Sequence, residues 1–521
     1  MAKELRVIGP PGTGKTTTIR NRVARMVAEG EYDPEDIVLT SFSRAAAQEL
    51  TGAVDVPSEN VSTLHSLARR TVGAMPIAEV GELRKQWNDS GIPADWRVGP
   101  GDIDLEDGLA PNDGRALSDY SLARAKLLPD EHSAYKRLAA FEKRWVDFKK
   151  QTHSVDFTDM LVEASHHAGS GAGCAGEPPV IMVDEAQDMS PLSWQLVRQW
   201  ADHPSCERFY VMGDPAQAIF SFAGAAPDEL LIDLPDEQHH VLGRSWRMPR
   251  AIQQRAENYL ASHSGSITEG RVYEPRDADG VVRRLPATWS SPDLVINEAS
   301  QLAENGKTIL ILASCAYMVN PTIEALRERG LLFDNKWRRS NRLWNPINAA
   351  SDTSTSTRTA DRVVAFVEGG DPGLWLPMLS ASAFKIRGGK KHAVDDPSMW
   401  KEWMSSESLK AIEKRDTHWL VRNSTKTYQR SVGYATNILT RQGADVLNAE
   451  IMISVGTIHS VKGGEADVVY LFPDISKAGA EQMETRSGRD ASIRLGYVAM
   501  TRAREELVFC EAAGKNELEI G

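Results

Sequence analysis

Cysteine is scarce: the chain has four in 521 residues, at Cys174, Cys206, Cys315 and Cys510, and no two of them form a CxxC pair. A readable zinc ribbon or iron–sulfur cluster is thereby excluded, and buried reduced thiols are the expectation. Long apolar runs are absent as well, and the opening MAKELRVIGPPG reaches glycine and proline before an apolar leader could form. No membrane association is expected, and a cytoplasmic location is. Excess positive charge is also missing, since 60 Lys+Arg against 72 Asp+Glu give a formal charge of −12. An acidic chain is not drawn as a whole to a polyanion, so any nucleic-acid binding has to come from a local groove. What is present, 41% hydrophobic and 25% charged residues over a length beyond one ordinary core, is a globular, multidomain composition.

Short apolar runs that end in polar, loop-like residues recur along the chain, as parallel strands buried on both faces do. Residues 5–8, 37–40, 61–64, 180–183 and 209–212 read as one doubly wound sheet. Residues 281–285, 308–312, 451–455, 468–472 and 507–510 read as a second α/β core. Residues 66–154, with SLARAKLL and YKRLAAFEKRWVDFKK, read as a mostly helical insertion in the first core. Residues 335–417, polar and carrying Trp337, Trp344, Trp375, Trp400 and Trp403, read as an insertion in the second. The expected division is therefore 1–65 with 155–250, and 251–334 with 418–521, each half interrupted by its insertion.

The first strand runs into Gly9, Pro10, Pro11, Gly12, Thr13, Gly14, Lys15 and Thr16, with Thr17 opening a helical stretch. A strand–loop–helix turn aims backbone N–H groups and the helix dipole at one point, which suits a triphosphate. Lys15 supplies charge to the β/γ oxygens and the Thr16 hydroxyl suits Mg²⁺. The cofactors expected are ATP and Mg²⁺. The run VIMVDEAQD then places Asp184 to hold the metal and Glu185 to orient and deprotonate the attacking water.

With DEAQD in place, the chain from Gly9 to Leu507 resembles the UvrD/Rep branch of the superfamily 1 helicases, in ordered blocks. TSFSRAAAQEL (40–50) is similar to motif Ia, VSTLHS (61–66) to motif Ib, and VMGDPAQAIFSFAGA (211–225) to motif III. LGRSWRMP (242–249) is similar to motif IV, VGTIHSVKGGEADVV (455–469) to motif V, and RLGYVAMTRAREEL (494–507) to motif VI. The resemblance implies an α/β fold of two RecA-like P-loop cores with parallel sheets. It implies that Arg247 and Arg502 reach the γ-phosphate, that Gln217 senses it, and that Glu465 contacts the ribose. Trp246 falls where the family stacks an aromatic ring on the base, with a core tryptophan as the competing reading.

The resemblance also assigns a track for single-stranded DNA. Phe42, Phe220 and Phe222 are its ring positions, and Thr63, His65, Thr457 and His459 its backbone contacts, one Thr/His pair per core in the strings STLHS and GTIHS. Two departures stand out: Phe222 and Ala223 replace a tryptophan and an arginine, and only residues 1–4 precede the first strand, too few for a glutamine-bearing adenine motif. Base discrimination is then expected to rest on stacking by Trp246. The implied activity is a DNA-dependent ATPase that moves 3′ to 5′ and separates strands at single/double-strand junctions. Residues 335–417 are a candidate protein-partner surface. An ATPase that clears proteins from DNA without unwinding, or the motor subunit of a nuclease complex, would carry the same motifs.

Overall fold

In a computed structural model the described residues are 3–42, 44–99, 114–129, 131–265, 267–268, 271–335 and 358–520. The apolar runs form two parallel sheets. The first contains β1 (Lys3–Ile8), β2 (Ile37–Ser41), β3 (Val61–Thr63), β4 (Val180–Asp184), β5 (Arg208–Gly213) and β6 (His239–Val241) in the order β3-β2-β4-β5-β1-β6. A separate parallel pair joins β7 (Arg244–Pro249) to β8 (Glu274–Arg276). The second sheet contains β9 (Val281–Leu285), β10 (Ile309–Ala313), β11 (Ile453–Thr457), β12 (Ala466–Leu471) and β13 (Ala503–Cys510) in the order β11-β10-β12-β13-β9.

Every residue of β2, β4 and β10 is buried, which explains why these strands read as unbroken apolar runs: both faces of a parallel sheet are covered by helices. Ile8, Val38, Ile181 and Val211 pack on one side of the first sheet, and Val7, Leu39, Met182 and Met212 on the other. At their C-terminal ends the strands turn polar together. Ser41 is in register with Asp184, and Gly9 N–H donates to the Gly213 carbonyl at 2.9 Å. Open parallel sheets place their ligand crevices at this edge.

Between β3 and β4 the described residues are helical, with a core of their own in which Trp87 packs on Trp145 at 4.7 Å between ring centroids, joined by Phe141 and Tyr120. Between β10 and β11 the helices bury Trp375 and Trp419, but here the apolar cluster is continuous with that of the second sheet. Trp400 and Trp403 are partly buried against it, and Trp337 and Trp344 lie outside the described residues. All four cysteines are free, three of them buried. Among the described residues no helix is long and apolar enough to cross a membrane.

Candidate functional site

The loop after β1 is shaped by its own short-range bonds. The Thr13 hydroxyl and N–H both donate to the Pro10 carbonyl, at 2.7 and 3.2 Å, while Gly12 and Gly14 take left-handed φ angles of +70° and +85°. Gly14 caps the helix Lys15–Ala28 without a side-chain bond, so the N–H groups of the first helical turn remain available to an anion. Lys15 folds back over the loop, its ammonium donating to the Gly9 carbonyl at 3.0 Å and standing 3.9 Å from Glu185. Thr16 is half-buried and Thr17 exposed.

Asp184 and Glu185 follow β4 directly, and their environments push them apart. Asp184 is buried and its Oδ1 has no hydrogen-bond partner. Burial, then the neighbouring Glu185 charge, raises its pKa to about 7. An orphaned, buried carboxylate oxygen beside a phosphate loop is what a divalent cation satisfies, and Thr16 offers the second oxygen. Among the described residues no group of three or more His, Cys, Asp or Glu is placed to hold a metal. Glu185 sits at φ +53°, a strained conformation of the kind that surrounding contacts must enforce. Burial works against its charge, but Lys15, Lys462 and a 2.6 Å bond from Gln187 outweigh that and hold its pKa down to about 2. Glu185 is therefore the ionised member of the pair, and Asp184 the one whose charge burial disfavours.

Side chains from around the second sheet close on this edge. β7 lies on the phosphate loop: Ser245 Oγ donates to the Pro11 carbonyl at 2.8 Å and Trp246 N–H to that of Gly12 at 2.7 Å. A Cβ on Gly12 would stand 2.3 Å from the Arg247 Cβ, so only glycine permits this approach. Arg247 Nε pairs with Glu465 at 2.5 Å and its Nη1 donates to the Thr501 carbonyl at 3.4 Å. Glu465 thus meets arginines, Arg504 being the second at 3.5 Å. Arg502, immediately before β13, is buried; its Nη2 donates to Gln217 Oε1 at 3.2 Å and its Nη1 to the Gly464 carbonyl at 3.2 Å. Burial, then the nearby Arg247 charge, lowers its pKa to about 9. A guanidinium under that penalty gains from an incoming anion.

Lys462, between β11 and β12, was not singled out from the sequence and is central here. Its ammonium bonds Asp188, donates to the Gln217 carbonyl at 3.0 Å and lies 3.5 Å from Glu185. Both Lys462 and Asp188 sit inside motif-like strings, but they are 274 positions apart, and nothing in a linear sequence pairs them.

The aromatic residues divide. Phe42 is half-buried, its ring 5.4 Å from that of Phe220. Phe222 is 39% exposed, with His459 5.5 Å from its ring. Phe220, expected to offer a ring to DNA, is corrected by its position: it is 1% exposed, enclosed by Phe42, Phe222 and the Lys462 ammonium 5.2 Å from its centroid. It packs beneath the rings of Phe42 and Phe222. Trp246 is 67% exposed, with the Arg244 guanidinium over its ring at 4.9 Å, which removes the core reading.

The two Thr/His strings fold alike. Thr63 Oγ1 accepts from Ser66 N at 3.3 Å and Thr457 Oγ1 from Ser460 N at 3.2 Å, so both hydroxyls cap a turn. His65, packed edge-on to Phe157, and His459 are held neutral by burial, each with a pKa near 4.

A family model described as an AAA domain matches residues 1–223, and one described as a UvrD-like helicase C-terminal domain matches residues 452–510. The chain is similar to ATP-dependent DNA helicase UvrD2 of Mycobacterium tuberculosis (strain ATCC 25618 / H37Rv), 26% identical over 302 residues, which cover 51% of this chain and 42% of that protein. It is 24% identical over 380 residues to DNA helicase IV of Escherichia coli (strain K12), covering 62% and 54% of the two. With ATP-dependent DNA helicase Rep of the same organism the identity is 22% over 299 residues, covering 51% and 42%. The chain spans about half the length of these curated relatives.

Proposed function

Because the chain belongs to the UvrD/Rep-like helicases of superfamily 1, we propose that it is a DNA-dependent ATPase that moves 3′ to 5′ along single-stranded DNA and separates strands at junctions. The two sheets are two RecA-like cores, 1–65 with 155–250 and 251–334 with 418–521. Residues 66–154 and 335–417 are their insertions, the latter a candidate protein-partner surface. One observation carries the reading. Arg502, bound to the second sheet, reaches Gln217 of the first, and Arg247 stands over the phosphate loop. Hydrolysis at such a site depends on how the halves sit, which is the requirement for a motor.

In this reading Gly9, Pro10, Pro11, Gly12, Thr13, Gly14, Lys15, Thr16 and Thr17 receive the triphosphate, and Lys15 swings from the Gly9 carbonyl to its oxygens. Thr16 and Asp184 would hold Mg²⁺, which supplies charge neutralisation on the phosphates when bound. Glu185, kept ionised by Lys15 and Lys462, accepts the proton of the attacking water oriented by Gln217. Arg247 and Arg502 stabilise the charge that develops on the transferred group. Trp246 stacks on the base, and Glu465 turns from the arginines to the ribose. Phe42, Phe222, Thr63, His65, Thr457 and His459 line the strand.

The test is ATP turnover with and without single-stranded DNA for the parent, Lys15→Ala and Arg502→Ala, with strand displacement on duplexes bearing 3′ or 5′ tails. The expected result is strong stimulation in the parent, near-complete loss in both variants, and displacement from the 3′ tail. DNA-stimulated turnover without displacement would make the protein a translocase that clears DNA. Full turnover in Arg502→Ala would remove the motor reading.

A further inference from the structure

The loop that carries Gln217 is anchored by a residue outside every motif-like string. Asp214 is fully buried, and its carboxylate accepts four bonds. Arg271 donates through Nε to Oδ1 at 2.8 Å and through Nη2 to Oδ2 at 2.9 Å, while Ala216 N and Gln217 Nε2 add 3.1 and 2.8 Å bonds. The same guanidinium donates from Nη1 to Glu257 at 3.1 Å and from Nη2 to the Tyr497 hydroxyl. Glu257 lies on the helix Arg250–Leu260 and Tyr497 on the helix Arg486–Met500, the helix that leads into Arg502.

We propose that Arg271 is a positioning residue for ATP hydrolysis, acting through Asp214 to fix the orientation of the Gln217 amide between the two halves. The proposal rests on the reading of Gln217 and Arg502 as γ-phosphate contacts. A carboxylate only accepts and a guanidinium only donates. With the Asp214 carboxylate, already paired to Arg271, on one side and Arg502 on the other, Gln217 has one orientation: its NH₂ to Asp214 and its oxygen to Arg502. Arg271 holds both oxygens of Asp214 through its fork in a fully buried setting, where a carboxylate depends on a paired cation and on filled hydrogen-bond positions. Without that fork the carboxylate is no longer fixed in place, and the Gln217 amide that donates to it is free to turn over. Because Arg271 also grips Tyr497, a shift of that helix is transmitted to the same carboxylate, so the water-orienting glutamine moves with the helix that brings Arg502.

Two charge-balanced variants test this in the full chain, Arg271→Lys and the pair Asp214→Asn with Arg271→Gln. The lysine variant keeps the charges matched, and the pair removes both members of the buried Asp214–Arg271 contact and leaves only the partly exposed Glu257 without its arginine, so both are expected to fold. Readouts are thermal unfolding, affinity for a fluorescent ATP analogue, and kcat and KM for ATP under saturating single-stranded DNA. Analogue affinity and KM should stay within about 3-fold of the parent, while kcat falls about 10- to 100-fold through misplacement of the attacking water. The paired variant should lose more than the lysine variant, because lysine keeps a cation beside the Asp214 carboxylate. Parental kcat in both variants, a kcat that recovers in step with the unfolding temperature, or a change confined to KM overturns the proposal. Absence of DNA-stimulated turnover in the parent, or its survival in Arg502→Ala, would instead strike the functional reading beneath it.

Discussion

Phe220 and Phe222 are two positions apart and face different tasks. Phe220 is buried beside the Phe42 ring in an apolar cluster shared with Ile252, Ile458 and Tyr497 of the second half, so Phe220→Ala should cost about 3–5 kcal/mol of stability, as buried aromatic truncations do. Phe222→Ala removes a ring that is 39% exposed. It should leave the denaturant midpoint nearly unchanged and weaken single-stranded DNA binding by about 1–3 kcal/mol, the usual worth of one stacked base. Equal DNA losses from both variants at full folding would refute the assignment of support to one and contact to the other. Trp246 carries a related prediction. Its removal should not destabilise the fold, since it is 67% exposed, but should narrow any difference between ATP and GTP turnover. A strong adenine preference that survives Trp246→Ala would rule out stacking as its source.

His65 and His459 give the pH dependence at this scale. In the folded protein each titrates near pH 4 because burial disfavours the cation, against 6.5 for the unperturbed side chain. Between those values the unfolded chain binds more protons, so the stability these residues allow is complete above pH 6.5 and is lost as the pH falls towards 4. Replacing both with asparagine should flatten the fall of unfolding free energy over pH 6.5 to 4.5, by up to about one proton per histidine. Identical slopes in parent and variant would count against buried neutral rings.

At the scale of elements, the phosphate loop is held in place by two glycines with different duties. Gly14 supplies the left-handed cap of the helix, and Gly12 supplies space for β7, since a methyl there would meet Arg247 Cβ at 2.3 Å. Gly12→Ala should therefore part β7 from the loop and raise the KM for ATP at least about 10-fold, given the strained φ and the backbone shift together. A KM within error of the parent would mean the strand yields freely. The loop was legible in the sequence because all its residues are consecutive and follow an apolar run, and β1 to β5 and β9 to β13 were legible for the same reason. β6, with His239 and His240 exposed, and the pair β7 and β8, with Arg244, Trp246 and Glu274 exposed, offer no apolar run or alternation to read. The contacts of Lys462 with Asp188 and of Arg271 with Asp214 were illegible for a deeper reason: each side chain is unremarkable within its own segment, and only the packing of two sheets sets them opposite one another.

Across the whole molecule, the two halves meet through charged side chains gathered on the loop after β5 and the turn after β4. Arg494 donates to the Ala218 carbonyl at 2.9 Å and to Ser221 Oγ at 3.3 Å, Arg502 to Gln217, and Lys462 to both Asp188 and the Gln217 carbonyl. A net charge of −12 therefore coexists with a local concentration of cations at the cleft, where a nucleotide's charge arrives. Lys462 is the cation whose loss should separate binding from turnover. Its ammonium is shared between Asp188, buried and pushed by burial to a pKa of about 6 even with that lysine beside it, and Glu185. In Lys462→Met, Lys15 and the phosphate loop are untouched, so ATP should bind within about 3-fold of the parent. Glu185 loses one of the charges that keep it ionised and Asp188 loses its counterion, so DNA-stimulated kcat should fall at least about 10-fold. Lys462→Arg, which keeps the charge, should retain more of it. Filter binding of nucleotide alongside single-turnover hydrolysis separates the two effects. A variant that loses nucleotide binding and kcat in equal measure would mean that Lys462 holds the halves together and contributes nothing specific to the chemistry between them.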